Sequence, residues 1–489
     1  MPKKILALIL AIIMVICTVS CANSGTQEKS TDAGTSPSSD GEVTAKEDEG
    51  EKLELPDKKF NDKTLTFLVR ASGGEWDTID IYAEGITGDI INDAVYRRND
   101  IILSDYGVTI LEIGTDSTAQ MVESEVKTHS GEFQAVISKL GDAATISNKG
   151  QLYDLNSSEI QYIDLEKSWW DSKAANELSI NGGLYFATGD LLTSDNDGTF
   201  ILMFNKTIAK NKNMPNLYES VAKYEWTYDL MYSLEQQAIE DVNGELKYDE
   251  GIIGFAVTGN VPYCAFYSAG IRLVNKDNND YPSYSLDIEK ATRIIEASAP
   301  VFGKDVALNM EIDGDGNVVT SGTKCFGGGH ALFFGECMQC ISRLRESDAI
   351  FGVLPYPMLN KDQKAYYAHM NEVGGVMSIV KSNSDATLEM TCIVIEAMAY
   401  HSQKLLTPAY YDKSLVYKGL HDEESKPMLD LILANRVYDL AYIYGWGGAV
   451  AGIRQMIADG RNTISSQSAR YKTQVNNAIK RMIKQMERD

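Results

Sequence analysis

Three hydropathy regimes follow one another along the chain. Ile5 to Val19 is an apolar run without an acidic residue, preceded by Lys3 and Lys4 and followed by Ser20-Cys21. Ala22 to Lys59 is dominated by Ser, Thr, Gly, Asp, Glu and Lys, with Val43, Leu53 and Leu55 as scattered aliphatics. Beyond that, periods of two and of three to four residues alternate. Leu65 to Val69 predicts a first strand. Asn92 caps a helix running through Asp105 and ended by Gly107. Val108 to Ile113 is a second strand, and Ser117 with Gln120 forms a capping box for a helix through Lys127. Phe133 to Ser138 is a third strand, apolar enough to be buried on both faces. Strand, helix, strand, helix, strand is the rhythm of a parallel sheet covered by helices. Further strands are expected at Tyr185–Ala187, Phe200–Asn205, Ile252–Thr258, Ala331–Phe334, Phe351–Leu354 and Gly374–Val380. Helices are expected at Trp226–Ile239, with Thr227 as cap, at Ala386–Ser402 and at Ser465–Arg488. The last places Tyr471, Val475, Ile479, Met482, Ile483 and Met486 on one stripe, read as packing against the body.

The first 20 residues have the positive start, short apolar core and small-residue exit of a secretory signal peptide. The run is shorter than the ~20 apolar residues of a spanning helix. Cys21 then resembles the lipidated cysteine of a bacterial lipobox, although Thr18 stands where that pattern usually has Leu. Residues 22 to 59 cannot bury enough apolar surface to offset their ordering entropy and are expected to form a disordered stalk. Two acyl chains on Cys21 would suffice for stable anchoring.

With 44% hydrophobic and 23% charged residues the composition is that of a globular protein. The roughly 430 residues of the body are too many for one core and suit two lobes. A net charge of -24 argues against nucleic acid, whose phosphates demand clustered Lys and Arg. Cys264, Cys325, Cys337, Cys340 and Cys392 are an odd set, so at least one thiol lacks an intramolecular partner. Cys337-Met-Gln-Cys340 stands alone, in a segment (Thr323 to Arg345) that reads as strand then helix, and is taken as two buried small residues.

No GxSxG, HExxH, GxxxxGK[ST] or strand-borne GxGxxG occurs, and the five histidines show no ligand spacing. The acidic loops at Asp241–Glu245 and Asp313–Asn317 lack the Gly and Glu that an EF-hand loop needs, so neither is read as a metal site. No cofactor is expected. Aromatic residues are abundant, with 26 Tyr, 13 Phe and 5 Trp. Trp76, Trp169, Trp170 and Trp446 sit among polar loop residues, where flat rings could cover the apolar faces of a sugar while Asp, Glu, Asn and Arg bond its hydroxyls.

The order of leader, polar stalk and two-lobed body resembles the extracellular solute-binding proteins of bacterial ABC importers, in the class that includes many sugar binders. Echoes are Ile91–Asn99 (INDAVYRRN), Trp169–Asp190, Gly329–Gly335 (GHALFFG), Phe351–Pro357 (FGVLPYP), Pro408–Asp412 and Arg436–Gly448 (RVYDLAYIYGWGG). The resemblance implies an α/β, type II periplasmic-binding-protein-like fold. One lobe holds residues 60–187 and 365–400, the other 188–364 and 401–489. It implies a cleft faced by Arg70, Trp76, Asp142, Asp190 and Glu336, the last standing where sugar binders often carry an aromatic residue. It also implies a monomer on the outer face of the cytoplasmic membrane that hands its ligand to ABC permease subunits and performs no reaction. A receptor for a peptide or amino acid is the alternative, and a secreted glycoside hydrolase a distant one.

Overall fold

The computed structural model describes residues 51–486 apart from 72, 73, 75, 311–321, 346 and 416–423, with backbone alone for 412–415. Cys21, the leader, most of the polar segment and the Asp313–Asn317 loop lie outside the described residues.

The strands that build the two main sheets are β1 (Lys63–Arg70), β2 (Val108–Thr115), β3 (Ala135–Lys139), β4 (Phe200–Asn205), β5 (Ile253–Val257), β6 (Ala307–Asn309), β7 (Ala331–Cys337), β8 (Phe351–Leu354) and β9 (Gly375–Ile379). The first sheet has the order β9-β3-β1-β2. β1 runs parallel to β2 and β3, and β9 returns antiparallel against β3. The second sheet has the order β8-β4-β7-β5-β6, with β5 parallel to β6 and β7 and the rest antiparallel.

Strand periodicity explains how each sheet is covered on both faces. Leu65, Phe67 and Val69 of β1 pack with Ile110, Ile137 and Met377 on one side, while Leu68 packs with Val122, Phe133 and Val136 on the other. In β4, Phe200, Leu202 and Phe204 enter one core and Ile201 and Met203 another. Such two-sided burial is why these strands read as continuous apolar runs.

Helices α1 (Ile90–Tyr106), α2 (Thr118–Thr128) and α3 (Leu140–Ser147) follow or separate the strands of the first sheet. α1 begins one turn earlier than the sequence suggests. Asp89, not Asn92, is the N-cap, and its carboxylate accepts from the N–H of Ile91 and Asn92 at 3.0 and 3.1 Å. Gly107 ends α1 with φ of 65°. Ser117 does occupy the cap position of α2 but makes no side-chain capping bond: its backbone, with φ of -131° and ψ of 53°, is not in the extended conformation of a cap, and its hydroxyl donates to Asp116. Tyr185–Ala187 forms no strand beyond a single bridge from Ala187 to Met377. Gly322–Gly327 is helical, the strand expected from Ala331 starts there and runs on to Cys337, and a short 3-10 helix (Met338–Leu344) follows it.

In the second half, α4 (Val261–Ser268), α5 (Asp385–Leu415), α6 (Ala449–Asp459) and α7 (Ile464–Met486) complete the layers. The first part of α5 supplies Leu388 to Ala399 to the core under the first sheet, and Tyr410 further along joins a core of the second. α5 therefore ties the two layers together. α7 buries Tyr471, Val475, Ile479, Met482 and Ile483, as its stripe implies. Among the described residues no helix is long and apolar enough to cross a membrane.

Residues 51 to 59, read as part of the disordered stalk, lie against the body instead. Leu53, Leu55 and Phe60 pack on the core of the first sheet, Glu51 pairs with Lys167 at 3.1 Å and Lys58 with Glu389 at 2.6 Å. The two leucines supply the apolar surface that the preceding residues lack. The five body cysteines are buried and free. Burial pushes the thiols of Cys337 and Cys340 well up, and Cys340 packs against the Met203 sulfur at 3.7 Å. Among the described residues no group of His, Cys, Asp or Glu could hold a metal ion.

Candidate ligand-binding site

In an open α/β sheet the carboxyl ends of parallel strands stop at loops that carry no ladder partners, and side chains there are available to a ligand. β1 ends at Arg70. Its guanidinium is half-buried, donates to the Val373 carbonyl at 3.1 Å and lies 5.9 Å from the centre of the Trp76 ring. Burial lowers its pKa, and the charges of Asp77 and Asp142 pull the other way. β3 ends at Lys139, and Asp142 in the first turn of α3 accepts from Thr118 at 3.1 Å and lies 3.6 Å from the Lys139 ammonium. The segment entering β9 closes this edge: Leu140 N–H donates to Gly374 O at 3.0 Å and Gly141 N–H to Glu372 O at 3.2 Å. Arg70, Trp76 and Asp142 are thus gathered where sequence reasoning puts them. Arg70 and Trp76 border a narrow crevice of about 20 Å³, lined also by Thr78, Ser138, Lys139 and Ser194; Asp142 is not among its lining residues.

A second cluster, near the end of α3 and Glu372, is aromatic. Tyr444 stacks on Trp446 with centroids 5.2 Å apart and planes at 18°, and its hydroxyl lies 3.3 Å from Ser147 at the end of α3. Tyr442 lies edge-on to Tyr263 of α4 at 5.2 Å, and its hydroxyl reaches the N–H of Glu372 at 3.5 Å. Arg454 of α6 lies 5.7 Å from the Tyr263 ring and donates to Gly259 O at 2.9 Å. Beneath them is His369, fully buried, stacked on Tyr267 at 4.6 Å, with neither ring nitrogen bonded. Burial holds its imidazole down near pKa 3, so it is neutral. Tyr263, Glu372 and Arg454 were missed from sequence. Each is an isolated residue whose significance comes from the fold, whereas Tyr442 and Tyr444 flank the Trp446 that the sequence singles out.

The remaining candidates are elsewhere in role. Trp169 and Trp170 are 1% and 4% exposed, and their indole N–H groups donate to the two oxygens of Glu396 at 3.0 and 2.9 Å. Their indoles pack in the core under the first sheet, and both residues also line the pocket that Asp190 borders. Asp190 accepts from Thr407 of α5 at 2.7 Å and borders a separate pocket of about 380 Å³, lined by Asp171, Asn196 and Tyr411 among others. Burial raises its pKa. Glu336 lies within β7, accepts from the Cys337 N–H at 2.9 Å and is raised by burial too. Trp446 is 5% exposed, so what it offers is support for Tyr444.

Solved structures share this architecture. A sugar transporter from Rhizobium etli in an open conformation aligns with a TM-score of 0.56 at 13% identity, over 84% of this chain and 99% of that one. The GacH receptor of Streptomyces glaucescens, known unliganded and with acarbose, aligns at 0.52 and 13% identity, over 86% and 98%. A cyclo/maltodextrin-binding protein complexed with maltotetraose aligns at 0.52 and 14% identity, over 89% and 99%. No protein-family model and no curated protein matches the chain. At such identities the likeness is one of fold: the chain is a two-lobed α/β protein of the periplasmic-binding-protein-like class.

Proposed function

We propose that this protein is the solute-binding receptor of an ABC importer and that it captures a sugar or oligosaccharide. The reading assigns the first lobe to residues 60–187 with 365–400 and the second to 188–364 with 401–489. It assigns the lipid anchor to Cys21, and the outer face of the cytoplasmic membrane as the place of work. The observation that supports it is that Arg70, which lies beside Trp76, and Tyr442 of the aromatic cluster contact the same short segment: Arg70 donates to the Val373 carbonyl and the Glu372 N–H donates to the Tyr442 hydroxyl. The half-buried Trp76, Tyr263 and Tyr444 supply apolar faces, and Arg70, Asp142, Glu372 and Arg454 supply donors and acceptors that can fork onto vicinal hydroxyls. Ligand binding draws the walls together, and a membrane permease takes up the closed form. No bond in the ligand is broken.

A ligand that binds the folded state alone raises the melting temperature. Screening mono- and oligosaccharides by thermal shift is expected to produce a hit. Trp76→Ala or Tyr444→Ala is expected to weaken that hit by about 10-fold or more, the usual cost of removing an aromatic anchor. Shifts with amino acids or peptides in place of glycans would redirect the proposal to another solute. Release of reducing ends would replace it with a hydrolase.

A further inference from the structure

α7 opposes the charge of the protein that carries it. Net charge over the chain is -24, yet Arg461, Arg470, Lys472, Lys480, Arg481 and Lys484 follow Gly460 with no Asp or Glu before Glu487. At about 100° per residue, Arg470, Lys480, Arg481 and Lys484 fall within roughly 100° of one another around the helix. That arc lies opposite the buried Tyr471, Val475, Ile479 and Met482. All four cations are exposed. The charged neighbours at the helix start are Asp459, which accepts from Gln455 at 2.8 Å, and Glu296, which accepts from Asn462 at 3.2 Å. Among the described residues none of the four cations makes an ion pair; Arg470 alone has a further contact, 5.2 Å from the Tyr471 ring. From Arg470 to Lys484 the row is about 21 Å long.

We infer that the outer face of α7 docks the body onto anionic lipid headgroups, with the helix axis along the membrane plane. The inference rests on the reading of a membrane-tethered receptor given above. The side chains between the cations are Thr473, Gln474 and Asn477, all exposed and polar. A protein partner would ask for a buried apolar or aromatic centre, which this face lacks. A diffuse anionic surface asks for a row of cations on flexible stems and nothing else. The apolar stripe of α7 is already used by the body, so attraction is electrostatic, without insertion. Because screening confines surface fields to about 8 Å at physiological salt, the acidic remainder of the body does not cancel the stripe. Instead it repels the bilayer and so selects one orientation.

The test is co-flotation of the full chain with phosphatidylcholine vesicles and with vesicles that also contain phosphatidylglycerol. The leader, with Lys3 and Lys4, is the same in the unaltered chain and in the variants, so comparison with the variants removes its contribution on each vesicle. The expected result is a gain of at least about 10-fold on the anionic vesicles, lost in high salt and lost in Lys480→Glu/Arg481→Glu/Lys484→Glu. The Gln triple variant is expected to fall between. An unchanged melting temperature and sugar response in the variants would separate this result from misfolding, and from failure of the sugar reading. Equal partition of the unaltered chain to both vesicles would overturn the inference, as would a charge-reversed variant that prefers the anionic ones as strongly as the unaltered chain does. Impaired uptake with vesicle partition unchanged would overturn it in favour of an acidic face on the permease.

Discussion

Trp169 and Trp170 show how a residue's surroundings decide what its chemistry is for. Two adjacent tryptophans in a polar stretch look like a platform for a flat ligand, and no local signal says otherwise. Their partner, Glu396, is more than 220 positions away on α5, and its oxygens take one indole N–H each. Burial pushes the Glu396 carboxyl up to about 7, although the two donors favour the ionised form. Glu396→Gln keeps the shape but sets an amide NH₂ against one indole N–H, leaving two buried donors face to face. That change is expected to cost about 1–3 kcal/mol in urea denaturation and to leave ligand affinity unchanged. A loss of affinity at constant stability would return the tryptophans to the binding site. By contrast, Arg70 and Asp142 were legible, because a charged residue just beyond a buried parallel strand has few places to go except the sheet's open edge.

Whole elements were more legible than their ends. β4 and β8 read directly from apolar runs, since burial on both faces leaves no polar alternation to confuse the period, and β2 reads from its alternation of buried and exposed positions. The stripe on α7 was equally clear, and the body covers it. Caps were not. An acceptor at Asp89 and one at Asn92 look alike in sequence, and only backbone placement decides which side chain meets the free N–H groups. The Ser117–Gln120 pattern fits a capping box, but the Ser117 backbone does not take a capping conformation and its side chain makes no capping bond. The energetic asymmetry of α7 follows from its burial. Ile479→Ala, which opens a hole between α7 and the body, is expected to destabilise by about 2–5 kcal/mol. Thr473→Ala on the outer face is expected to stay within about 0.5 kcal/mol. Equal effects in urea titration would mean that the stripe does not hold the helix to the body.

At the scale of the molecule, the order of the two sheets along the chain was readable and the junction between them was not. Arg436 donates to Asp171 at 2.8 Å and to Asp195 at 3.0 Å, joining segments 265 and 241 positions apart. No periodicity encodes such a contact. Arg436→Met leaves two enclosed carboxylates without their cation and is expected to cost about 3–5 kcal/mol. The pH profile is a property of the whole ensemble of carboxyls. Glu396 is raised from 4.5 to about 7, and Asp439, which accepts from Tyr267, Leu273 and Ala441, is raised from 3.8 to about 6, both by burial. A raised carboxyl stabilises the fold fully below its unfolded pKa, and that stability is lost as pH climbs through the folded one. Glu123, lowered to about 2 by Lys127 and Lys149, behaves oppositely: its contribution is present above 4.5 and is lost as pH falls toward 2. The two sets overlap near pH 5, where neither loss is far advanced. Stability is therefore expected to peak there and to fall by about 1–3 kcal/mol between pH 5 and 8, read from urea midpoints across that window. Since Glu396 is raised to about 7, Glu396→Gln is expected to reduce the slope between pH 6 and 7. A midpoint that rises from pH 5 to 8 would show that these carboxyls are ionised in the folded protein at ordinary pKa, and that their burial is not felt.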